Sequence, residues 1–266
     1  MLIVGERINT SRKKIREAVQ KKDALFIQRE AKKQADAGAT LIDVNCGTFV
    51  GQEPEYMTWL VHTIQEVVDL PLCIDSPDPA TLRTGLEHHT NGRPMINSIT
   101  VEPDRFDQVL SLVLEHQAMI VGLCMAEGKM PDTAEERFDI ASRLIERLTS
   151  AGVPIGDIYM DPVVCPIGTD TRNGRTVLEA ISRIKTSYDG THLICGLSNV
   201  SFGLPLRKLL NQNFLTMCMA MGLDAVILDP LDRHMMSHLM ASDALLGKDD
   251  FCMNYLTAHR EGRLVV

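Results

Sequence analysis

Eight short apolar runs punctuate the chain. They are LIVGER at 2–7, TLIDVN at 40–45, PLCIDS at 71–76, PMINSIT at 94–100, AMIVGLCM at 118–125, DIYMDPVV at 157–164, HLICGLSN at 192–199 and DAVILDP at 224–230. Their apolarity is continuous rather than alternating, the pattern of strands covered on both faces in a parallel sheet. Between them the spacing turns helical. SRKKIREAVQKKDALFIQREAKKQADAG reads as two helices ending at Gly38. EPEYMTWLVHTIQEVVD repeats Met57, Leu60, Val61, Ile64, Val67 and Val68 along one face. DPATLRTGLEHH offers Asp78 as an N-cap and Pro79 as the first helical residue, and Asp104 reads as the next cap. Helical patterns follow each later run as well. Strand then helix, eight times, predicts an α/β protein, a (β/α)8 TIM barrel forming a single domain over 1–266. An open doubly wound sheet is the alternative, but no G-x-G-x-x-G follows any run.

Composition narrows the class. The chain has 266 residues, with 45% hydrophobic and 23% charged, as in soluble globular proteins. Its 27 Lys+Arg against 35 Asp+Glu leave a net charge of −8 and no basic cluster, which disfavours nucleic acid and anionic membranes as partners. The seven cysteines are scattered without a C-x-x-C pair, so the expected setting is a reducing cytoplasm. MLIVGERINT lacks the apolar length of a signal peptide, and AMIVGLCMA is far too short for a membrane span.

The polar residues sit at one end of the runs. Active sites of such barrels lie at the C-terminal strand ends. Those ends hold Glu6, Arg7 and Asn9; Asp43 and Asn45; Asp75 and Ser76; Asn97 and Ser98; Asp161; Ser198 and Asn199; and Asp229. Any one of them reads equally well as a loop residue, and Asp229 before Pro230 reads as a turn. Seven strands ending alike are harder to explain that way, because buried Asp and Asn cost free energy unless something bonds them. Carboxylates suit a heterocycle with an amino group and a ring N–H, and an Asn amide both donates and accepts. The set points to a flat, nitrogen-rich ligand such as a pterin or purine. No Gly-rich phosphate loop, clustered Cys/His metal set or Ser-His-Asp arrangement accompanies it, so no bound metal is expected.

LIVGERIN, IDVNCG, LCIDS, MINS, YMDP and GLSNVSFGLPLR together resemble the pterin-binding methyltransferases, in order and over nearly the whole chain. The resemblance is greatest to the methyltetrahydrofolate:corrinoid protein methyltransferases. It implies a TIM barrel, usually a homodimer, with tetrahydrofolate or 5-methyltetrahydrofolate in the mouth. Cobalamin would be carried by a separate corrinoid protein, and a methyl group would pass between N5 of the folate and cobalt. Asp75, Asn97 and Asp161 would hold the pterin ring. Asn199 would serve N5 as the catalytic residue. Asp43, Asn45, Gly196 and Ser198 would line the pocket, with Arg207 at its edge and Glu6, Arg7 and Asn9 forming the mouth. Around PVVCPIGTDTRNG the chain departs from the family pattern. The alternatives are a non-catalytic pterin-binding or corrinoid-partner barrel, and a dihydropteroate-synthase-like enzyme, although the diphosphate loop and late Ser-x-Arg motif of the latter are missing.

Overall fold

The structure, a computed structural model, describes residues 1–126 and 129–266. Among the described residues, eight parallel strands alternate with helices. The strands are β1 (Leu2–Asn9), β2 (Leu41–Asn45), β3 (Leu72–Asp75), β4 (Met95–Ile99), β5 (Met119–Leu123), β6 (Ile158–Asp161), β7 (His192–Leu193) and β8 (Ala225–Leu228). The helices are α1 (Lys13–Gln20), α2 (Ala24–Asp36), α3 (Glu53–Gln65), α4 (Pro79–Glu87), α5 (Pro103–His116), α6 (Ala134–Ser150), α7 (Asn173–Ser187), α8 (Arg207–Ala220), α9 (Arg233–Leu245) and α10 (Met253–Arg260). The sheet runs β7-β6-β5-β4-β3-β2-β1-β8. Main-chain bonds from Asp224 N–H to Leu193 O and from Ile227 N–H to Cys195 O join its two edges, so the sheet closes into the expected barrel. None of the described helices is long and apolar enough to cross a membrane.

Parity along each strand creates two cores. One residue from every strand points inward: Val4, Leu41, Cys73, Met95, Val121, Tyr159, Ile194 and Ala225 pack together inside the barrel. The alternate residues, such as Ile42, Ile74, Ile96, Ile120, Met160, Leu193 and Val226, face the helices. This two-sided burial is why the runs read as continuously apolar. Gly85 lets α4 lie close on β3, since a Cβ there would stand 2.6 Å from Ile74 Cγ2.

Local signals end the elements where the residue types require. Asp78 caps α4 by accepting from Ala80 N–H and Thr81 N–H, and Thr133 with Glu136 forms a capping box on α6. Asp104 is not a cap. Glu102 holds that position and Asp104 falls in the first turn of α5, where its charge still meets the positive helix end. The seventh apolar run also differs from its reading as a strand over 192–199. Regular pairing ends at Leu193, and Leu197–Ser201 winds into a 3-10 turn. Ser198 and Asn199 therefore stand on a turn above the strand rather than on it.

At the opposite end of the barrel, His89 Nε2 accepts the Leu72 N–H at 3.2 Å. Burial, with His116 beside it, pushes His89 down to about 4. The fold thus holds the neutral ring. Its contribution is complete above the ordinary histidine value near 6.5 and is lost as pH falls through about 4. His89→Asn keeps an acceptor but removes the titration. The wild type is expected to lose stability relative to this variant between pH 7 and 4, by on the order of 1–3 kcal/mol in urea unfolding. Parallel pH curves for the two proteins would reject the assignment.

Candidate functional site

The same parity carries polar groups to the top of the inward columns. Above the apolar layer, β1 presents Glu6, β2 Asp43 and Asn45, β3 Asp75, β4 Asn97 and β6 Asp161. Asn45 is in register with Asp75, and Asp75 with Asn97. Asn45 Nδ2 donates to Asp75 Oδ2 at 2.8 Å. One step lower, Asp43 is in register with Cys73 and only 2% exposed. Its Oδ1 is buried without a hydrogen-bond partner among the described residues. On the far side of the mouth, Asp161 accepts from Val163 N–H at 2.8 Å.

These carboxylates are held away from water, and their acidity follows. Burial pushes Asp161 up to about 7, against the Val163 N–H and the Arg137 charge, which pull it down. Burial pushes Asp75 up to about 6, opposed by the Asn45 hydrogen bond and the Arg105 charge. Asp43 is raised well above its ordinary range, by burial and then by repulsion from Asp75, so it favours the neutral acid and can donate. Burial also raises Glu6, with Arg12 opposing. The mouth therefore offers carboxyl groups in both protonation states near neutrality, together with the amides of Asn45 and Asn97.

Two cavities open at this end. One of about 480 Å3 is lined by Asp75, Ser76, Asn97, Ser98, Arg105 and Leu123, among others. The other, of about 360 Å3, includes Glu6, Arg12, Ser198, Arg207 and Lys208 in its wall. Both have the size of small-molecule sites, roughly 300–1,000 Å3. A larger cavity of about 820 Å3 lies between α2, α9 and Glu261–Arg263. None of the strand-end carboxylates described above lines it, apart from the neighbourhood of β8, so the chemistry is at the mouth.

The turn after β7 puts Leu197 and Ser198 in the wall of the second cavity. A Cβ on Gly196 would lie 3.9 Å from Asn199 Nδ2, which places the Asn199 amide beside the inward face of the strand end. Asn199 is exposed. The turn beneath it is well held. Arg207 Nε donates to Ser201 Oγ at 3.0 Å and its Nη2 to Ser198 O at 2.6 Å, while Ser201 Oγ donates to Asn211 Oδ1 at 2.7 Å. Ile167 N–H donates to Val200 O at 2.9 Å, so the divergent segment after β6 supports the turn from the other side. Arg207 thus both lines the second cavity and fastens the turn.

Other residues of the sequence reading take supporting places. Glu6 lines the second cavity, whereas Arg7 and Asn9 line neither mouth cavity. Arg7 bonds Glu30 of α2 at 2.6 Å and Asp229 at 2.8 Å, bracing the β1–β8 seam from outside. Asn9 Oδ1 accepts from Ser11 N–H in a tight turn. Asp229 is the turn residue anticipated, accepting from Leu231 N–H, but it also carries the ion pair to Arg7. Ser76 is anchored by donating to the buried Glu53 Oε2 at 3.0 Å. Glu53, Arg105 and Arg137 were not legible as site residues. They lie on helices, and only packing brings them under the strand ends.

Comparison with known proteins agrees with this arrangement. The model of the family described as "Pterin binding enzyme" matches residues 5–229. The chain is 36% identical over 267 residues to a methylcorrinoid:tetrahydrofolate methyltransferase of Eubacterium limosum, covering 99% of this chain and 98% of that protein. It is also 36% identical over 241 residues to a methionine synthase of Mycobacterium tuberculosis, covering 85% of this chain but 20% of that longer protein. Among solved structures, dihydropteroate synthase from Yersinia pestis in complex with a sulfonamide drug superposes with a TM-score of 0.70 over 93% of this chain and 94% of that one. At 15% identity that likeness speaks for the shared fold alone. With a family model matched across most of the barrel and a relative matched almost end to end, the chain belongs to the pterin-binding enzyme family.

Proposed function

We propose that the protein is a methyltransferase that moves a methyl group between N5 of tetrahydrofolate and the cobalt of a corrinoid carried by a separate protein. The observation that carries this reading is Asp75 and Asn97 in register at inward strand ends, with Asp161 ending β6 and Asn199 on the turn after β7, in a chain matched over 99% of its length to the Eubacterium limosum methyltransferase. The same end-to-end match favours the methyltransferase over the non-catalytic barrel and over a dihydropteroate-synthase-like enzyme. Mixing the protein with methyltetrahydrofolate and reduced cobalamin, and with methylcobalamin and tetrahydrofolate, tests it by the cobalamin spectrum. Absence of transfer in both directions would refute it.

Asp75 and Asp161 accept from the amino and ring N–H groups of the pterin, and Asn97 completes the edge. Asp43, Asn45, Gly196, Ser198 and Arg207 shape the walls. The corrinoid supplies a cobalt that takes or gives the methyl group, and the two mouth cavities, of about 480 and 360 Å3, suit the folate rather than a macrocycle. A tertiary amine is a poor leaving group, so transfer out of N5 requires positive charge there. Asn199 Oδ1 accepts a hydrogen bond from protonated N5 and stabilises that charge as it develops, and it does so in either direction of transfer.

The protein acts as a cytoplasmic homodimer. Leu209, Met217 and Met221 of α8, and Leu245, Leu246, Phe251, Met253 and Leu256 around α10, are exposed large apolar side chains. Exposed apolar surface gathered into patches marks interaction sites. Light scattering of the purified chain should report a dimer, and Met217→Glu with Phe251→Asp should yield monomers; a monomeric wild type would overturn this.

Folate binding should strengthen with pH. Asp161 titrates near 7 and Asp75 near 6 in the free protein, and their ionised forms accept the ring N–H groups. Affinity should rise from pH 5.5 to 8 and then level off. At pH 6.5 binding should release protons, detected by calorimetry in buffers of different ionisation enthalpy. Flat affinity with no proton release would remove both carboxylates from the site. Asp75→Ala or Asp161→Ala should weaken binding by roughly tenfold to a hundredfold.

Asn199→Ala should slow methyl transfer by on the order of 10²–10³ while changing tetrahydrofolate affinity much less. Single-turnover transfer measured beside direct binding checks the split. Transfer at the wild-type rate, or a loss confined to binding, would show that this turn does not serve N5.

A further inference from the structure

Two arginines stand behind the carboxylates of the mouth. Arg105, in the first turn of α5, donates to Ser98 O at 2.7 Å, to Ser76 O at 3.3 Å and to Pro77 O. All three acceptors are main-chain carbonyls at the ends of β3 and β4, the strands that carry Asp75 and Asn97. Arg105 also lines the same cavity as those two residues. Arg137 of α6 repeats the construction beside β6. It is 0% exposed and donates to Pro162 O at 2.7 Å, Val163 O at 3.3 Å and Thr133 O at 3.0 Å. Pro162 and Val163 directly follow Asp161.

Apart from a long contact of Arg137 with Cys165 Sγ, the hydrogen bonds given for the two guanidiniums end on carbonyls. Carbonyl dipoles satisfy the donors but leave the net charge. A desolvated cation of this kind is costly unless a negative charge nearby profits from it. The carboxylates beside Arg105 are Glu102, Asp75 and Asp78, and of these Asp75 is the one at a strand end; Arg137 acts on Asp161. Asp75 is faced by Asp43, Asn45 and Cys46 from β2 and its loop, by Cys73 on its own strand and by Arg105 from α5. Asp161 is faced by Cys124 after β5, Cys195 after β7, the Val163 N–H and Arg137 from α6. Each arginine is the cation acting on its carboxylate from within the barrel wall.

We propose that Arg105 and Arg137 are the positioning residues of the pterin end of the site, each clamping the strand ends that present a carboxylate and keeping that carboxylate, Asp75 or Asp161, in the charged form that accepts from the ring. This rests on the folate reading given above. It adds two residues that act through the carboxylates.

The test is the pH profile of tetrahydrofolate binding by calorimetry from pH 5.5 to 9, for the wild type, Arg105→Gln, Arg105→Lys and Arg137→Lys, each checked for folding by circular dichroism. Loss of the cation in Arg105→Gln should move the profile upward by about one pH unit. Binding should then be about tenfold weaker at pH 6 and close to wild type at pH 9. Arg105→Lys and Arg137→Lys keep the charge but lose the fork, so they should hold the wild-type profile with a uniform loss of affinity. In an Asp75→Asn background, Arg105→Gln should leave the profile unchanged. An equal loss for Arg105→Gln at every pH, or lysine variants that shift the profile as glutamine does, would reduce both arginines to scaffold and overturn the proposal. A wild type that binds no tetrahydrofolate would instead fell the folate reading, and this inference with it.

Discussion

A carboxylate removed from water must be neutralised, paired or given hydrogen-bond donors, and the mouth of this barrel buries three of them. Asp43, Asp75 and Asp161 follow Leu41, Cys73 and Tyr159 on the inward columns, with Asn45 one step above Asp43. The apolar plug beneath them excludes solvent, and the helices outside close the wall. Each carboxylate is answered differently. Asp43 has an unpartnered oxygen and favours its acid form. Asp75 takes the Asn45 amide and the field of Arg105, and Asp161 takes a main-chain N–H and the field of Arg137. The site is thus stocked with donors and acceptors before any ligand arrives, and that preorganisation is what makes binding of a hydrogen-bonding heterocycle worthwhile.

The seventh strand shows how the same barrel carries an asparagine above a strand end. Its regular pairing stops at Leu193, although Cys195 O still receives the Ile227 N–H that closes the barrel. Freed from the ladder, the chain winds through a 3-10 turn that lifts Asn199 beside Gly196. An exposed asparagine on a loose loop could not supply a fixed dipole. Here Arg207 and Asn211, one helical turn apart on α8, fasten Ser198 and Ser201 from below, and Ile167 fastens Val200 from the side. The loop is exposed at its tip and fastened at its base.

Fold and chemistry separate cleanly in this protein. The alternation of strand and helix and the closure between β7 and β8 would serve many unrelated reactions. What distinguishes it is the layer of Asn45, Asp75 and Asn97 in mutual register, with Asp161 opposite. A one-residue slip of β3 against β2 would turn Asp75 toward the helices and replace it by an apolar neighbour. Arg7, bonded to Glu30 and Asp229, ties β1 to α2 and to the residue after β8.

The sequence by itself determined the barrel, because strands buried on both faces must be apolar throughout and because helices that cover them must repeat at 3.6 residues. It also determined which positions became polar at the strand ends, since period-two alternation sends Asp43, Asn45, Asp75, Asn97 and Asp161 inward regardless of what lies beyond. It misplaced the end of β7, for Ile194 and Cys195 are as apolar as any strand and nothing local announces the 3-10 turn that follows. Asp104 likewise reads as a cap, while the chain entered α5 two residues earlier, at Glu102. Only the tertiary structure decided which cations would serve the carboxylates. Arg105 and Arg137 lie on helices far along the chain from Asp75 and Asp161, and on such helices an arginine reads as a solvated charge. Their reach to carbonyls at the strand ends depends on how α5 and α6 pack against the barrel, a relation between distant segments that no local pattern encodes.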